Sequence, residues 1–134
     1  MPAYNWYLQL IKPSWTPPAW IFGPVWSFLY VIIFISFGFV FYKTFTGKIS
    51  WLIALPFILN LIFNFAFTPI QFVLKNNFLA MIDILLVLIT LIWALVSILK
   101  IYPDFSWILY LNIPYLLWVL FATVLQITIT YLNF

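Results

Sequence analysis

Polar side chains recur at helical spacing inside a long apolar stretch, and they are the clearest chemical groups in this sequence. Asn60 and Asn64 are followed by Thr68 and Gln71, in steps of four, four and three residues. Side chains at this spacing lie on one face of a helix. Because lipid would leave amides unpaired, this face must point into a helical bundle. There it either bonds neighbouring helices, or Asn60 and Asn64 line a ligand pocket.

A second set of groups follows the same spacing near the C-terminus. Tyr115, Trp118, Ala122 and Gln126 are separated by steps of three, four and four residues. A small residue such as Ala122, between bulky aromatics and an amide, allows a neighbouring helix to approach or leaves a cavity. Both interpretations remain open at this point.

Two tryptophans are expected at similar depth in the membrane. Trp26 lies roughly 12 Å below the N-terminal surface, one turn before Tyr30, and Trp118 lies roughly 18 Å below the same surface. Both indole rings can therefore face one cavity in the same half of the membrane. Packing alone is the alternative explanation for two deep tryptophans.

Asp83 is the one acidic residue within an apolar stretch. An acid inside the membrane is a functional candidate by default. The alternative is structural, because Asp83 lies near the start of its helix, where the helix dipole favours an anion. Asp104 belongs to the opposite membrane surface, which excludes a catalytic carboxylate pair.

The composition shows which class of protein must position these groups. Of the 134 residues, 68% are hydrophobic and 5% are charged, and the mean hydropathy is +1.22. A soluble domain carries about a quarter charged residues, so this composition indicates a membrane protein. The absence of Cys and His removes thiol chemistry and the commonest metal ligands. No metal site and no required cofactor are therefore expected. A nucleic-acid partner is not expected either, since the five lysines are scattered and form no basic patch.

The positions of the charges predict an all-α, polytopic transmembrane helical bundle. A spanning helix needs about 20 mostly apolar residues, and four stretches between charges meet this requirement: residues 18–42, 50–73, 78–99 and 107–130. The bundle therefore occupies residues 18–134. Residues 1–17 are too short to span, and their aromatic side chains predict an interfacial segment that caps the bundle. We expect an integral, multi-pass protein of a bacterial cell membrane.

Several motifs resemble the tryptophan-rich sensory protein family (TspO/MBR), also called translocator protein or peripheral benzodiazepine receptor. The strongest match is WYLQLIKPSWTPPAWIFGPVWSFLY at residues 6–30. Further matches are Asn64 in LNLIFNFAF, Asp83 in AMIDILLV, and PYLLWVLFAT at residues 114–123. Together these motifs cover nearly the whole chain.

The resemblance implies a helical membrane protein that binds porphyrins and, in animal members, cholesterol and synthetic benzodiazepine-site ligands. It also implies a pocket inside the bundle, capped by a loop that here contains Trp6, Pro13, Trp15, Pro17 and Pro18. Some bacterial members are linked to light-dependent porphyrin breakdown by two pocket tryptophans. These match the pair that the depth argument selects.

The sequence departs from the family pattern in two places. The family has five spanning helices, whereas we expect four, because only residues 1–5 precede Trp6. The animal sterol signature requires a cation after a tyrosine near the end of the last helix, but Leu, Asn and Phe follow Tyr131. The resemblance therefore gives no support to a sterol role.

Three functions remain as hypotheses. The first is binding of a porphyrin or a similar flat hydrophobic molecule, without enzymatic activity, by a pocket made of the following residues: Trp26, Tyr30, Asn60, Asn64, Tyr115, Trp118 and Ala122. The second is light-dependent porphyrin degradation through the tryptophans, so enzymatic activity stays open. The third is a structural or regulatory subunit completed by a partner helix. A homodimer is also expected, because polar faces built for a larger bundle would otherwise risk exposing Asn60, Asn64 or Gln126 to lipid.

Overall fold

The computed structural model describes residues 9–133, and within this range every regular element is helical. The α-helices are α1 (Phe22–Phe45), α2 (Trp51–Thr68), α3 (Asn77–Ile101), α4 (Trp107–Leu111) and α5 (Ile113–Leu132). A π-helical turn, Pro69–Val73, extends α2, and short 3₁₀ turns, Ala19–Ile21 and Pro103–Phe105, precede α1 and α4.

Four of these helices are long and apolar enough to cross a membrane: Phe22–Phe45, Trp51–Val73, Asn77–Ile101 and Ile113–Leu132. Each has 20 to 25 residues, which matches the ~20 residues that span the ~30 Å hydrocarbon core. The prediction of a four-span, multi-pass helical bundle is therefore confirmed. The observed first span begins at Phe22 rather than at residue 18, because the preceding residues form a 3₁₀ turn.

The predicted fourth span, residues 107–130, is not continuous. It divides at Asn112 into the short α4 and the spanning α5. Pro114 causes the break, since it has no N–H to donate to the carbonyl of Tyr110 one turn earlier. The Asn112 side chain stabilises the junction, because its Nδ2 donates to the Ile108 carbonyl at 2.8 Å and to Ser36 Oγ at 2.9 Å.

A second proline changes the end of α2. Pro69 cannot donate to the carbonyl of the preceding turn, and the helix continues with a wider hydrogen-bond pattern, in which Leu74 N donates to the Pro69 carbonyl at 3.0 Å. Lys75 follows in the left-handed region, with φ of 54°, and reverses the chain. Asn76 then caps α3, accepting from Leu79 N at 3.0 Å.

The helices differ in how closely they pack. α3 lies along α2 on one side and α5 on the other, and its buried residues form much of the core. α1 covers this group, with a ring contact between Phe37 and Phe57 at 4.9 Å. α1 and α2 join through a turn in which Gly47 has φ of +79°, a backbone angle that favours glycine.

Candidate functional site

A cavity of about 570 Å³ lies in the half of the bundle where α1 begins and α2 ends. This volume falls within the ~300–1,000 Å³ of typical ligand pockets. The lining is mostly apolar and comes from α1, from α2 with its π-helical turn, from α3 and from α5: Phe22, Gly23, Trp26, Tyr30, Asn64, Phe67, Thr68, Gln71, Phe72, Val73, Ile84, Val87, Trp118, Phe121, Ala122, Leu125 and Gln126.

Aromatic rings from α1 and α5 form part of the wall. On α1, Trp26 packs against Tyr30, with ring centroids 5.5 Å apart. On α5, Trp118 packs against Phe121 at 5.7 Å and meets Phe22 of α1 edge-on at 5.8 Å. The cavity is therefore lined by indole rings from both helices.

A chain of hydrogen bonds closes the inner end of the cavity. The Tyr30 hydroxyl donates to Asn64 Oδ1 at 3.1 Å, and Asn64 Nδ2 donates to the Tyr115 hydroxyl oxygen at 2.8 Å. The Tyr115 hydroxyl donates in turn to Asn60 Oδ1 at 2.9 Å. Asn60 Nδ2 then donates to the Val87 carbonyl at 2.9 Å and to Thr90 Oγ1 at 3.2 Å. This chain joins all four spanning helices.

The hydrogen-bond chain divides the predicted site residues into two groups. Five of the seven line the cavity: Trp26, Tyr30, Asn64, Trp118 and Ala122. Asn60 and Tyr115 are fully buried behind them, and both the donor and the acceptor groups of the Asn60 amide already have protein partners. In this structure Asn60 and Tyr115 hold Asn64 in place, and a direct contact of theirs with a ligand stays a prediction.

The end of the cavity nearest the membrane surface is more polar than the predicted site list suggests. Gln71 Nε2 donates to Asn77 Oδ1 at 3.0 Å. Gln126 Nε2 donates to the Asn77 carbonyl at 3.2 Å, and so does the Thr130 hydroxyl at 3.0 Å. Both glutamines belong to the polar helix faces that the sequence pattern predicts. Asn77 belongs to neither face, because it lies in the first turn of α3 and bonds the glutamines from there.

The predicted cap is described only in part, and Trp6 lies outside residues 9–133. Ile11 exchanges two hydrogen bonds with the Asn133 side chain at the end of α5, at 3.0 and 2.8 Å. Trp15 packs edge-on against Phe121 at 5.7 Å. Phe121 lines the cavity, so Trp15 lies directly behind a residue of the cavity wall.

Prolines shape the rest of the described cap. The Pro13 carbonyl accepts from Thr16 N and Oγ1, and the Pro18 carbonyl accepts from Ile21 N as the chain enters α1. Pro17 lies between these two turns. Whether the whole segment covers a bound ligand stays a prediction.

Asp83 is buried in α3, directly before the cavity-lining Ile84. No donor in residues 9–133 bonds its Oδ2. The helix dipole interpretation places the carboxylate near the helix start, and Asp83 does lie in the second turn of α3. A functional role for Asp83 stays a prediction.

The arrangement of the cavity suits non-covalent binding of a flat apolar molecule. Aromatic faces would stack on such a ligand, and the few polar groups at the two ends, above all Tyr30, Asn64 and Gln71, would orient it. Within the described residues, no group of three or more His, Cys, Asp or Glu side chains forms a metal site.

Comparison with known proteins finds a matching family and several similar chains. The model of the TspO/MBR family matches residues 1–132. The chain is 41% identical over 130 residues to the tryptophan-rich protein TspO of Bacillus cereus, covering 96% of this chain and 81% of the relative. It is 38% identical to the uncharacterized membrane protein YtaB of Bacillus subtilis, covering 96% and 81%. It is 35% identical to the human translocator protein, covering 91% and 71%.

Proposed function

Since the chain belongs to the TspO/MBR family, we propose that it binds a flat hydrophobic ligand, a porphyrin in the first instance, in the cavity between α1, α2, α3 and α5. The observation that carries this proposal is the position of Trp26 and Trp118. The two side chains come from helices far apart in the sequence and line the same apolar space. A planar ligand in this space would stack on aromatic surface, which is worth ~0.5–1.5 kcal/mol for each contact beyond area burial.

The polar groups support an oriented mode of binding. The Tyr30 hydroxyl and the Asn64 amide lie at the inner end, and Gln71 and Gln126 lie at the surface end. Protoporphyrin IX has an apolar macrocycle and carboxylates on one edge. We expect the macrocycle to occupy the aromatic middle and the carboxylates to point toward the membrane surface. Lys12, whose Nζ donates to the Leu10 carbonyl at 3.2 Å, is a candidate partner for them there.

Titration of the purified protein in lipid nanodiscs with protoporphyrin IX in darkness tests this proposal. We expect saturable quenching of tryptophan fluorescence and weaker binding by the double variant Trp26→Phe, Trp118→Phe. The matched control is Trp93→Phe, because Trp93 is 44% exposed on the lipid side of α3. Quenching that rises linearly with porphyrin, without saturation, would show that the ligand only dissolves in the bilayer.

A second candidate function is light-dependent breakdown of the porphyrin. The two indole rings favour it, since both line the space that the macrocycle would occupy. Illumination of the same complex is the test, with the porphyrin absorbance as readout. Loss of absorbance that needs both tryptophans would support this function, whereas a stable spectrum would leave binding alone.

A homodimer remains a prediction, but the structure removes the argument first made for it. The amides expected to face lipid are buried within a single chain: Asn60, Asn64 and Gln126. They bond Tyr115, the Val87 carbonyl and the Asn77 carbonyl, among other groups of the same chain. Crosslinking in native membranes tests whether two copies of the chain associate. The same experiment tests whether a helix of another membrane protein binds the chain.

A further inference from the structure

Asn77 accepts hydrogen bonds from two glutamines at the surface end of the cavity. Gln71 Nε2 donates to Asn77 Oδ1 at 3.0 Å. Gln126 Nε2 donates to the Asn77 carbonyl at 3.2 Å and to Thr130 Oγ1 at 3.3 Å. Both glutamines line the cavity, whereas neither Asn77 nor Thr130 is among its lining residues. The N–H groups of the glutamines are therefore engaged by groups behind the cavity wall.

The oxygen atoms of the same two amides are not used in this way. A glutamine amide has two N–H donors and one oxygen that accepts hydrogen bonds. Gln126 has used both of its donors. Gln71 Oε1 is buried, and no group in residues 9–133 donates to it. A buried acceptor without a donor is unfavourable, so a ligand that brings a donor to this end gains a hydrogen bond that the protein alone does not make.

Gln71 Oε1 differs in its position from the other buried side-chain oxygens that have no donor within residues 9–133. Those oxygens belong to Asp83 and Asn112, and neither residue lines the cavity. At the inner end, the Tyr30 hydroxyl already donates to Asn64 Oδ1. Among the buried side-chain oxygens of the described lining, the one that needs a donor is therefore at the surface end.

We propose that Gln71 and Gln126 form an acceptor pair that determines ligand specificity, and that Asn77 is the positioning residue that keeps their oxygen atoms free for the ligand. The preferred ligand is a flat hydrophobic molecule with an O–H or N–H donor on the edge nearest the membrane surface. A carboxylate has no proton to donate, so a porphyrin carboxyl group either meets this pair in its protonated form or extends past it to the surface. For the place of binding, this inference rests on the proposed function.

Two pyrene derivatives that differ in a single donor test the acceptor pair. Pyrenemethanol has a hydroxyl group, which its methyl ether lacks. With the protein in nanodiscs, saturable energy transfer from tryptophan to pyrene gives both affinities, corrected for partition into protein-free nanodiscs. The hydroxyl group favours the surface end, because an amphiphilic molecule keeps its polar group at the interface. We expect the alcohol to bind about fivefold more tightly than the ether, the effect of one net hydrogen bond.

The double variant Gln71→Met, Gln126→Met removes both acceptors and keeps side chains of similar length. We expect it to bind the alcohol and the ether with equal affinity. The matched control is Thr128→Val on α5, because the Thr128 hydroxyl donates to the Val124 carbonyl and Thr128 does not line the cavity. This control should keep the preference for the alcohol. Equal affinities in the unmodified protein, or a preference that survives in the double variant, would overturn the acceptor pair.

Two variants of Asn77 test its positioning role. Asn77→Leu releases Gln71 Nε2, so the Gln71 amide can rotate and offer the ligand a donor, and the preference for the alcohol should fall to about twofold. Asn77→Asp should keep the full preference, because a carboxylate still accepts from Gln71 Nε2 and is favourable in the first turn of a helix. If Asn77→Leu weakens both probes alike and leaves their ratio unchanged, Asn77 has only a structural role.

Protoporphyrin IX separates this inference from the proposed function. If protoporphyrin IX does not bind but the preference for the alcohol is present and is lost in the double variant, the proposed ligand is wrong and the acceptor pair stands. If protoporphyrin IX binds but the pyrene probes bind equally well, the binding function stands and the acceptor pair is wrong. If none of the three molecules binds saturably, both proposals are wrong.

Discussion

The two halves of this bundle are built from the same four apolar helices, yet one half is closed and the other contains a cavity. In the closed half, the rings of Phe37 and Phe57 meet at 4.9 Å and nearly perpendicular, and Ala54 and Ala94 are fully buried. In the cavity half, Trp26 and Trp118 are only partly buried, around a space of about 570 Å³.

Helix packing and backbone regularity both differ between the two halves. Small residues such as Ala54 and Ala94 allow helices to approach closely in a membrane. The cavity half has large aromatic rings on α1 and α5, and Pro69 forces a wider turn at the end of α2. Hydrophobicity alone therefore does not distinguish a packed region from a binding region in this protein.

The hydrogen-bond chain from Tyr30 to Thr90 separates the two halves. Asn60 and Asn64 are one turn apart on α2, but Asn60 is bonded on all sides by protein, whereas Asn64 also lines the cavity. An asparagine therefore packs in the core at position 60 and lines the cavity at position 64, one helical turn later. The predictions below test this division.

Adding bulk should have opposite effects in the two halves. Ala94→Phe overfills the closed half and should reduce the free energy of unfolding by roughly 3 kcal/mol. Ala122→Phe places the same ring in the cavity, so stability should change by less than about 0.5 kcal/mol. Unfolding in SDS measures both values. Similar losses in the two variants would show that the cavity does not exist in the membrane.

The same two variants should rank in the opposite order when ligand affinity is measured instead of stability. Ala122→Phe is expected to lower porphyrin affinity by about tenfold or more, because the added ring occupies ligand space. Ala94→Phe, measured at a temperature where it stays folded, should bind as the unmodified protein does. Titration by tryptophan quenching gives both affinities.

The boundary between the halves should depend on Tyr115 more than on Tyr30. Tyr115→Phe leaves Asn60 Oδ1 and Asn64 Nδ2 without their shared partner in a buried position, at a cost of about 2 kcal/mol. Tyr30→Phe removes one bond from a residue that is 40% exposed, so about 0.5 kcal/mol is expected. Equal losses in the free energy of unfolding, measured in SDS, would mean that the hydrogen-bond chain does not stabilise the core.

Removal of a tryptophan should affect binding only in the cavity half. Trp118→Ala should weaken porphyrin binding roughly three- to tenfold, the loss of one stacking contact. Trp93→Ala removes a lipid-facing indole from α3 and should leave the affinity unchanged. Equal losses at both positions would indicate general destabilisation.

Labelling of single cysteines identifies which chain turns share a membrane surface. Cysteines at Gly47 and Asp104 should react from one side of the membrane, and a cysteine at Asn76, at the start of α3, from the other. A charged maleimide added to sealed vesicles makes the measurement. Reaction of Gly47 and Asn76 from the same side would contradict the four-span topology.

The bundle itself was predictable because it depends on summed properties of the chain. Long apolar stretches between lysines define four spans whatever their detailed packing, since each must exceed the bilayer thickness. The break at Asn112 and the π-helical turn at Pro69 were not predicted as such. A proline in the sequence indicates where a helix is disturbed. The neighbouring side chains decide how the carbonyl groups that lose a hydrogen bond there find another donor.

The cavity was only partly predictable for the same reason. Helical spacing predicts inward faces for Asn64 and Trp118, and similar depth predicts that Trp26 and Trp118 can face one cavity. Spacing does not show which inward side chains bond one another, so Asn60 and Asn64 looked equivalent. Asn77 has no periodic signal, because its carbonyl and side chain act at a helix end.

The amino-acid sequence by itself determined that this protein lies in a membrane, that four helices cross it, and which faces of two helices carry polar groups. Period and length determine these features, and both are local properties of the chain. Only the tertiary structure decided that α1 packs on α5 beside the cavity and which inward side chains line it. That choice depends on how large and small side chains from four distant segments fit together, which no single segment contains.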